Sequence, residues 1–325
     1  MKVSAYTDVT SPVRVKPRNL KVPLGVGGAA LIILLIGWMT NPAFLTKDNL
    51  LQIVRSGALI GIAAVGTTFI TIAGHYFSLA IQQTAMCCAI CFAAALSWGW
   101  GVVPALLVTV LLALALGLIQ GYLVGIGANS IVLTLGVGVV IYGIAALVTD
   151  NKVVRTGTDV AEWIGRARPL GIPTQTYALI LFTIAAHIVL TRTRFGRLIV
   201  LVGTNKEAAL ATGLSVKKAT LAAFAIASFT AGICGIFLAA QIGQGRVDQF
   251  PTLNFEVIAA VLVAGTAIQG GEGSALRTAL GTIFIALLNN LLLLSGQPYG
   301  IRIFVVGFCV VLGVSLFFLL KRKTL

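Results

Sequence analysis

Long apolar runs recur along almost the whole chain, and they constrain its fold more than any other feature. A helix needs about 20 apolar residues to cross the hydrocarbon of a bilayer. With 58% hydrophobic and 10% charged residues, the composition is typical of an integral membrane protein. We therefore predict an all-α polytopic membrane protein with about ten transmembrane helices, at 22–40, 52–72, 77–97, 103–126, 130–149, 177–191, 219–241, 255–269, 275–295 and 302–320.

The basic residues indicate how these helices are oriented. Most of the 23 Lys and Arg residues fall in the N-terminal tail 1–21, the central loop 192–219 and the C-terminal tail 321–325. Because basic loops mark the cytoplasmic side, we expect both termini there, with one transmembrane domain at 22–320. The external loop 150–176 is also basic, but long loops say little about topology. The net charge of +14 is thus explained by orientation rather than by nucleic-acid binding.

The central loop contains the pattern of a short helix. Asn205 is a suitable N-cap, residues 206–211 are all helix formers, and Gly213 is a suitable C-terminal stop. A two-turn helix in a cytoplasmic loop would offer a docking surface to a partner. A loop that only sets the topology would show the same excess of basic residues, so the sequence alone leaves both interpretations open.

Two polar, glycine-containing interruptions separate apolar runs, at 72–79 and 265–274. Paired interruptions in the two halves of a transporter point to its substrate path, although two ordinary turns would look the same. A shift of 196 residues aligns Gly74 with Gly270, whereas a different shift pairs Gln120 with Asn289. An internal duplication is therefore a hypothesis, and the sequence leaves open whether its halves are parallel or inverted.

No catalytic constellation is present in the sequence. Cys88 and Cys91 form a CxxC pair within an apolar run, but there is no second pair. Neither His75 nor His187 lies at metal-ligand spacing from another histidine or a carboxylate. No phosphate-binding loop occurs, so the chain is not expected to hydrolyse ATP itself. The acidic residues fall in loops or at span ends, which leaves a proton-coupled mechanism without an obvious carrier.

Uncharged polar side chains inside the spans can line a path for a neutral, hydroxyl-rich solute, because they donate and accept hydrogen bonds without the desolvation cost of an ion. They also hold helices together in lipid. The candidates are Gln82, Gln83, Gln120, Asn129, Ser130, Thr134, Gln269, Asn289 and Asn290.

A series of motifs follows in a specific order and spacing. They are Ile-Val-Leu-Thr-Leu-Gly at 131–136, Phe-Gly-Arg at 195–197, Val-Gly-Thr-Asn at 202–205, Thr-Gly-Leu-Ser-Val at 212–216, Ala-Gly-Ile-Cys-Gly at 231–235, Glu-Val-Ile-Ala-Ala at 256–260 and Gly-Gly-Glu-Gly-Ser at 270–274. Over roughly residues 40–320 the chain resembles the permease subunit of bacterial ABC importers for simple sugars, of the ribose, xylose, arabinose and galactose type.

The resemblance implies a multi-pass permease of the bacterial inner membrane that moves a small neutral solute, in particular a monosaccharide. It implies a second permease subunit, a cytoplasmic ATPase that uses ATP and Mg²⁺, and a periplasmic solute-binding protein. The residues expected to couple to the ATPase are Asn205, Lys206, Glu207, Ala208, Ala209 and Gly213. Those expected along the substrate path are Gly74, Ser78, Gln120, Asn129, Thr134, Glu256, Gly265, Gly270, Gly271, Gly273, Asn289 and Asn290. The alternative function is a stand-alone, ion-coupled secondary transporter or channel.

The chain departs from the family pattern at the first interruption. Members usually have Gly-Gly-Ile-Asp-Leu-Ser, whereas residues 73–78 read Ala-Gly-His-Tyr-Phe-Ser. A glycine usual after Ser274 is also replaced. The lost acid raises the hypothesis that this chain is one half of a heterodimeric permease, although a homodimer stays open.

Overall fold

The chain is almost entirely helical in the computed structural model, which describes residues 21–157 and 161–322. The described residues form α1 Lys21–Thr40, α2 Lys47–Ile72, α3 Ile81–Ser97, α4 Val102–Gly125, α5 Ser130–Thr149, α6 Glu162–Gly165, α7 Thr174–Arg192, α8 Arg194–Thr204, α9 Lys206–Ala211, α10 Val216–Ile242, α11 Leu253–Val263, α12 Ala275–Leu294 and α13 Tyr299–Arg322. Two short strands, β1 Val154–Arg155 and β2 Gln244–Gly245, pair antiparallel. The predicted all-α class is confirmed. Nearly all of the predicted N-terminal tail and part of the C-terminal tail lie outside the described residues.

Each of the ten predicted spans overlaps one helix. Six of these helices, α2, α4, α5, α7, α10 and α12, are long and apolar enough to cross a membrane. Shorter apolar stretches occupy Gly25–Thr40, Ile81–Ser97, Leu253–Val263 and Tyr299–Cys309. The structure therefore identifies six candidate spans by length and composition within the described part of the chain.

The boundaries beside the two interruptions were predicted wrongly. Helix α3 begins at Ile81 rather than at 77, because Gly74 and Tyr76 both have a positive φ and the chain stays non-helical after α2. Helix α11 ends at Val263 rather than at 269, because Gly265 takes a left-handed conformation that stops it. The apolar residues that follow each helix end belong to a connection rather than to a span.

Helices α2 and α10 form the centre of the molecule and run in opposite directions. They approach closely where Gly66 faces Thr230, since a Cβ at Gly66 would lie 1.9 Å from the Thr230 hydroxyl oxygen. Gly117 and Gly121 of α4 pack in the same way on the backbone of α10. Small residues at helix contacts allow backbones in lipid to approach and gain van der Waals contact.

The central helices separate two ends of the molecule. Helix α10 has 27 residues and is therefore about 40 Å long. It begins beside α9 and ends beside the strand pair, so we call these the α9 end and the ribbon end. At the ribbon end the backbone of Gly165 in α6 packs against Gln241, and Gln175 Nε2 donates to the Gly165 carbonyl at 2.6 Å.

Candidate functional site

A short exposed helix marks the surface of the α9 end. Asn205 caps α9 by accepting a hydrogen bond from the Ala208 amide at 2.9 Å, and Gly213 has a φ of 76° beyond its C-terminus. Only Ala209 of α9 is buried, whereas the Leu210 side chain is 56% exposed. The predicted capped helix is confirmed, and it presents an apolar side chain among charged neighbours.

Helix α8, directly before α9, was missed by the sequence analysis. Its N-cap is Thr193, whose hydroxyl accepts from the Gly196 amide at 3.0 Å. Apolar residues at 195, 198, 199 and 202 follow the spacing of one helix face. Ile199 and Val202 are buried on that face. The sequence analysis used the basic residues of this segment for topology alone, although the apolar spacing was sufficient to predict the helix.

Four glycines join the two interruptions to α8, and we call this contact the glycine junction: Gly74, Gly203, Gly270 and Gly271. A Cβ at Gly203 would lie 1.8 Å from the Ile72 carbonyl oxygen, and one at Gly270 would lie 2.6 Å from the Gly74 Cα. The Gly271 amide donates to the Ile72 carbonyl at 2.9 Å. Both interruptions are thus packed backbone against backbone beside the segment that leads into α9.

His75 lies next to the glycine junction, in the connection between α2 and α3. Its Nε2 shares a hydrogen bond of 2.7 Å with the Thr220 hydroxyl of α10, and its ring packs against Phe224. Burial, together with the nearby charge of Lys206, lowers the pKa of His75 to about 4. The ring is therefore neutral at physiological pH and links the connection to α10.

A second polar group, which we call the Gln120 cluster, contains Ser78, Gln120 and Thr134. The Ser78 hydroxyl donates to Gln120 Oε1 at 3.3 Å, and the Leu79 amide donates to the Thr134 hydroxyl at 3.0 Å. Gln120 is 1% exposed, and its Nε2 has no hydrogen-bond partner among the described residues. The cluster holds the end of the first interruption against α4 and α5.

A cavity of about 630 Å³ lies towards the ribbon end, between α2, α11, α12 and α13. We call it the Glu256 pocket. Glu256 Oε1 accepts hydrogen bonds from the Thr252 hydroxyl at 3.1 Å and from Asn289 Nδ2 at 3.0 Å. Asn290 also lines the pocket, but its Nδ2 donates to Asn49 Oδ1 at 2.8 Å, so it also joins α12 to α2.

Two arginines in the Glu256 pocket were missed as site residues. The Nε atoms of Arg55 and Arg302 are buried without a hydrogen-bond partner among the described residues. Arg302 also lies over the Tyr299 ring, 5.4 Å from its centroid. The sequence analysis did not single out either arginine, although 55 lies within a predicted span and 302 begins another. An ionisable residue inside an apolar run is itself a sign of function.

The twelve residues predicted for the substrate path are not gathered in one place. Gly74, Gly270 and Gly271 form the glycine junction, and Gly273 packs nearby against Ile72. Gly265 ends α11, and Asn129 is an exposed cap of α5. The remaining six belong to the Gln120 cluster or the Glu256 pocket. No group of three His, Cys, Asp or Glu residues suited to a metal occurs in the described ranges.

Comparison with known proteins places this geometry in a family. Residues 49–319 match the family described as the permease component of branched-chain amino acid transport systems. The ribose import permease protein RbsC of Haemophilus influenzae is 30% identical over 81% of this chain and 83% of its own length. The probable ABC transporter permease protein YphD of Escherichia coli K12 is 31% identical over 90% of this chain and 88% of its own.

The xylose transport system permease protein XylH of Escherichia coli K12 is 25% identical over 95% of this chain and 94% of its own length. These relatives cover most of the chain. The family match extends from α2 into α13. The chain therefore belongs to this family of ABC importer permeases, which are multi-pass membrane proteins of bacteria without catalytic activity of their own.

Proposed function

We propose that this permease imports a small neutral solute, a monosaccharide, across the bacterial inner membrane. The observation that carries the proposal is the similarity, over most of the chain, to relatives named as ribose and xylose permeases. A cytoplasmic ATPase supplies the energy from ATP and Mg²⁺, a periplasmic binding protein delivers the solute, and a second permease subunit completes the path.

Helix α9 is the element that we propose couples the permease to the ATPase. Asn205, Lys206, Glu207, Ala208 and Gly213 are all exposed, while Ala209 anchors the helix to the protein. The glycine junction lies immediately before it, so a movement of α9 is passed through α8 to both interruptions. This arrangement supports a direct mechanical link between ATP hydrolysis and the helices of the path.

The solute path runs between the two permease subunits and uses the twelve polar and glycine residues predicted for it. The Gln120 cluster lies towards the α9 end, and the Glu256 pocket lies towards the ribbon end. Uncharged amides and hydroxyls dominate the first, and a carboxylate with two arginines distinguishes the second. The two regions therefore suit successive contacts of one solute during alternating access.

The chain consists, in this proposal, of two halves with inverted topology. The first residues of α2 and α10 are 169 positions apart, as are those of α5 and α13. At the same spacing, Gly117 of α4 packs on α10, and Ala286 of α12 packs on α2 at Gly57. Since α2 runs towards the α9 end and α10 runs away from it, the halves are inverted. This spacing favours the pairing of Gln120 with Asn289 over the alternative shift of 196.

The partner permease is a second copy or a related chain. Tyr76 occupies the position of the usual aspartate, has a φ of 59° and is 47% exposed. Aspartate tolerates a left-handed conformation better than tyrosine does, so this substitution is unfavourable for the isolated chain. The loss of the acid from the motif supports a heterodimer in which the partner keeps it.

Purification of the tagged chain with its operon neighbours tests the proposal. We expect an ATPase to copurify from mild detergent, and Glu207→Lys to abolish both copurification and sugar uptake while membrane insertion is kept. Asp150→Lys is the matched charge reversal at the ribbon end, and it should leave the ATPase bound. A chain that purifies alone and transports in liposomes under an ion gradient would show a secondary transporter instead.

A further inference from the structure

We propose that the Glu256 pocket is a recognition site for a monosaccharide, in which Arg55 and Arg302 donate hydrogen bonds to its hydroxyls and Glu256 and Asn289 accept them. The inference rests on the proposed function for the class of solute. It goes further in assigning part of the solute selection to the permease itself, and to two arginines that the motifs of the sequence do not include.

The Nε donors of two arginines in the pocket have no acceptor within the described part of the chain. The Nε atoms of Arg55 and Arg302 are buried without a partner among the described residues, and both side chains line the cavity. Most buried donors in proteins are paired, and an unpaired one costs roughly 1–3 kcal/mol. A solute that brings acceptor oxygens into the cavity would offer hydrogen-bond partners to both guanidinium groups, whose side chains line it.

The acceptors of the pocket are only partly used. Glu256 Oε1 already accepts hydrogen bonds from Thr252 and Asn289. Glu256 Oε2 and Asn289 Oδ1 have no hydrogen-bond donor within the described ranges. A hydroxyl both donates and accepts. Neighbouring hydroxyls of one sugar can therefore bind an arginine and the carboxylate together, which a group that only donates or only accepts cannot do.

The charges of the pocket exclude a cation. Two cationic side chains, Arg55 and Arg302, line the same cavity as the one carboxylate of Glu256. The electrostatic neighbour of Arg55 is another cation, Arg168. A positively charged solute would meet uncompensated repulsion here, whereas a polyhydroxylated solute would not.

The size and walls of the pocket also fit a sugar ring. Small-molecule sites are typically clefts of about 300–1,000 Å³ with apolar walls and a few placed polar groups, and this cavity is about 630 Å³. Its walls present apolar surface to the C–H faces of a ring, from Leu59, Ile60, Phe250, Phe255, Ile258 and Tyr299.

Saturation-transfer NMR on the permease–ATPase assembly in lipid nanodiscs, without the binding protein, tests the inference. We expect D-ribose or D-xylose to receive saturation and choline to receive none, with 2-deoxyribose binding more weakly than ribose. Arg55→Gln and Arg302→Gln should each lower the apparent affinity about fivefold, the equivalent of one lost hydrogen bond of ~1 kcal/mol. Arg246→Gln, an exposed arginine outside the pocket, should leave the affinity unchanged.

The outcomes separate this inference from the proposed function. If the assembly imports sugar with its binding protein but neither sugar receives saturation, or if both arginine variants bind normally, the recognition site is refuted and the importer stands. If the complete system imports no sugar, the proposed function itself fails. Should the arginine variants not assemble, Ser56→Leu fills the pocket from α2, where the Ser56 hydroxyl bonds only to its own helix. Undiminished binding in that variant would also refute the site.

Discussion

At the scale of single residues, Gly203 joins α8 to both the end of α2 and the second interruption. A side chain there would overlap the Ile72 carbonyl, and this oxygen also accepts the Gly271 amide. The position leaves no direction in which a methyl group can be placed. The glycine is therefore required by close packing rather than by its backbone freedom.

Gly203→Ala should lower the free energy of unfolding by ~2 kcal/mol, because overpacking a closed contact forces the backbone to shift. Thermal unfolding in detergent measures this. The control is Gly136→Ala in α5, where a Cβ would meet nothing within 4 Å and where alanine favours the helix. Equal melting temperatures for the two variants would contradict the glycine junction.

His75 makes stability depend on pH, because its pKa is lowered to about 4 in the folded protein from about 6.5 when unfolded. Since the unfolded chain takes up the proton first, the contribution of His75 to stability is fully present above pH 6.5 and is lost as the pH falls towards 4. The loss attributable to this residue is about 3 kcal/mol at pH 4.

His75→Gln should remove that part of the pH dependence, so the stability difference between wild type and variant should shrink steadily from pH 7 to pH 4. Thermal unfolding across this range measures the difference. A constant difference for His75→Gln would show that the ring is not buried in its neutral form.

At the scale of elements, α9 depends on its caps more than the long helices do. Six residues form too few hydrogen bonds to hold a helix without help, and the Asn205 side chain satisfies one of its free amides. Helix α10 also has a capping side chain, Ser215, but its 27 residues are held by packing. The same chemical change should therefore affect the two helices differently.

Asn205→Ala should destabilise α9 by ~1 kcal/mol and weaken binding of the ATPase, with Asn205→Asp restoring it. Titration of the purified ATPase onto the permease in nanodiscs measures the affinity. Ser215→Ala removes an N-cap in the same loop and should leave the affinity unchanged. Weakening of equal size in both alanine variants would point to a general disturbance of the loop rather than to α9.

At the scale of the whole molecule, the α9 end and the ribbon end should face opposite sides of the membrane. The excess of basic residues near α9 favours the cytoplasm for that end. The native cysteines lie in helices and are buried or half-buried. Exposed cysteines introduced at either end can therefore be labelled selectively.

Thr212→Cys should react with a membrane-impermeant maleimide only after the cells are lysed, whereas Lys152→Cys should react in intact spheroplasts. Both positions are exposed, so accessibility reports the side of the membrane rather than burial. Labelling of Thr212→Cys in intact cells would reverse the orientation and would exclude α9 as the contact for a cytoplasmic ATPase.

The sequence by itself was sufficient for the helical class, the ten apolar segments and the capped helix α9. These features depend on local interactions: apolar length against the thickness of a bilayer, and one side chain capping the turn that follows it. Helix α8 also depends on local interactions, and its apolar spacing was sufficient to predict it. The helix ends at Ile81 and Val263 were missed because the predicted spans 77–97 and 255–269 counted apolar residues of the two interruptions as helical.

Only the tertiary structure decided which distant residues meet. Gly74 and Gly270 were aligned as repeats in one register, yet they touch each other at Gly203. Arg55 and Arg302 fall in two different predicted spans, yet both line the pocket of Glu256. Such contacts join residues about 200 or more positions apart in sequence, and their geometry follows from how the helices pack together. That packing depends on side-chain fit across two surfaces, which no local pattern in one segment encodes.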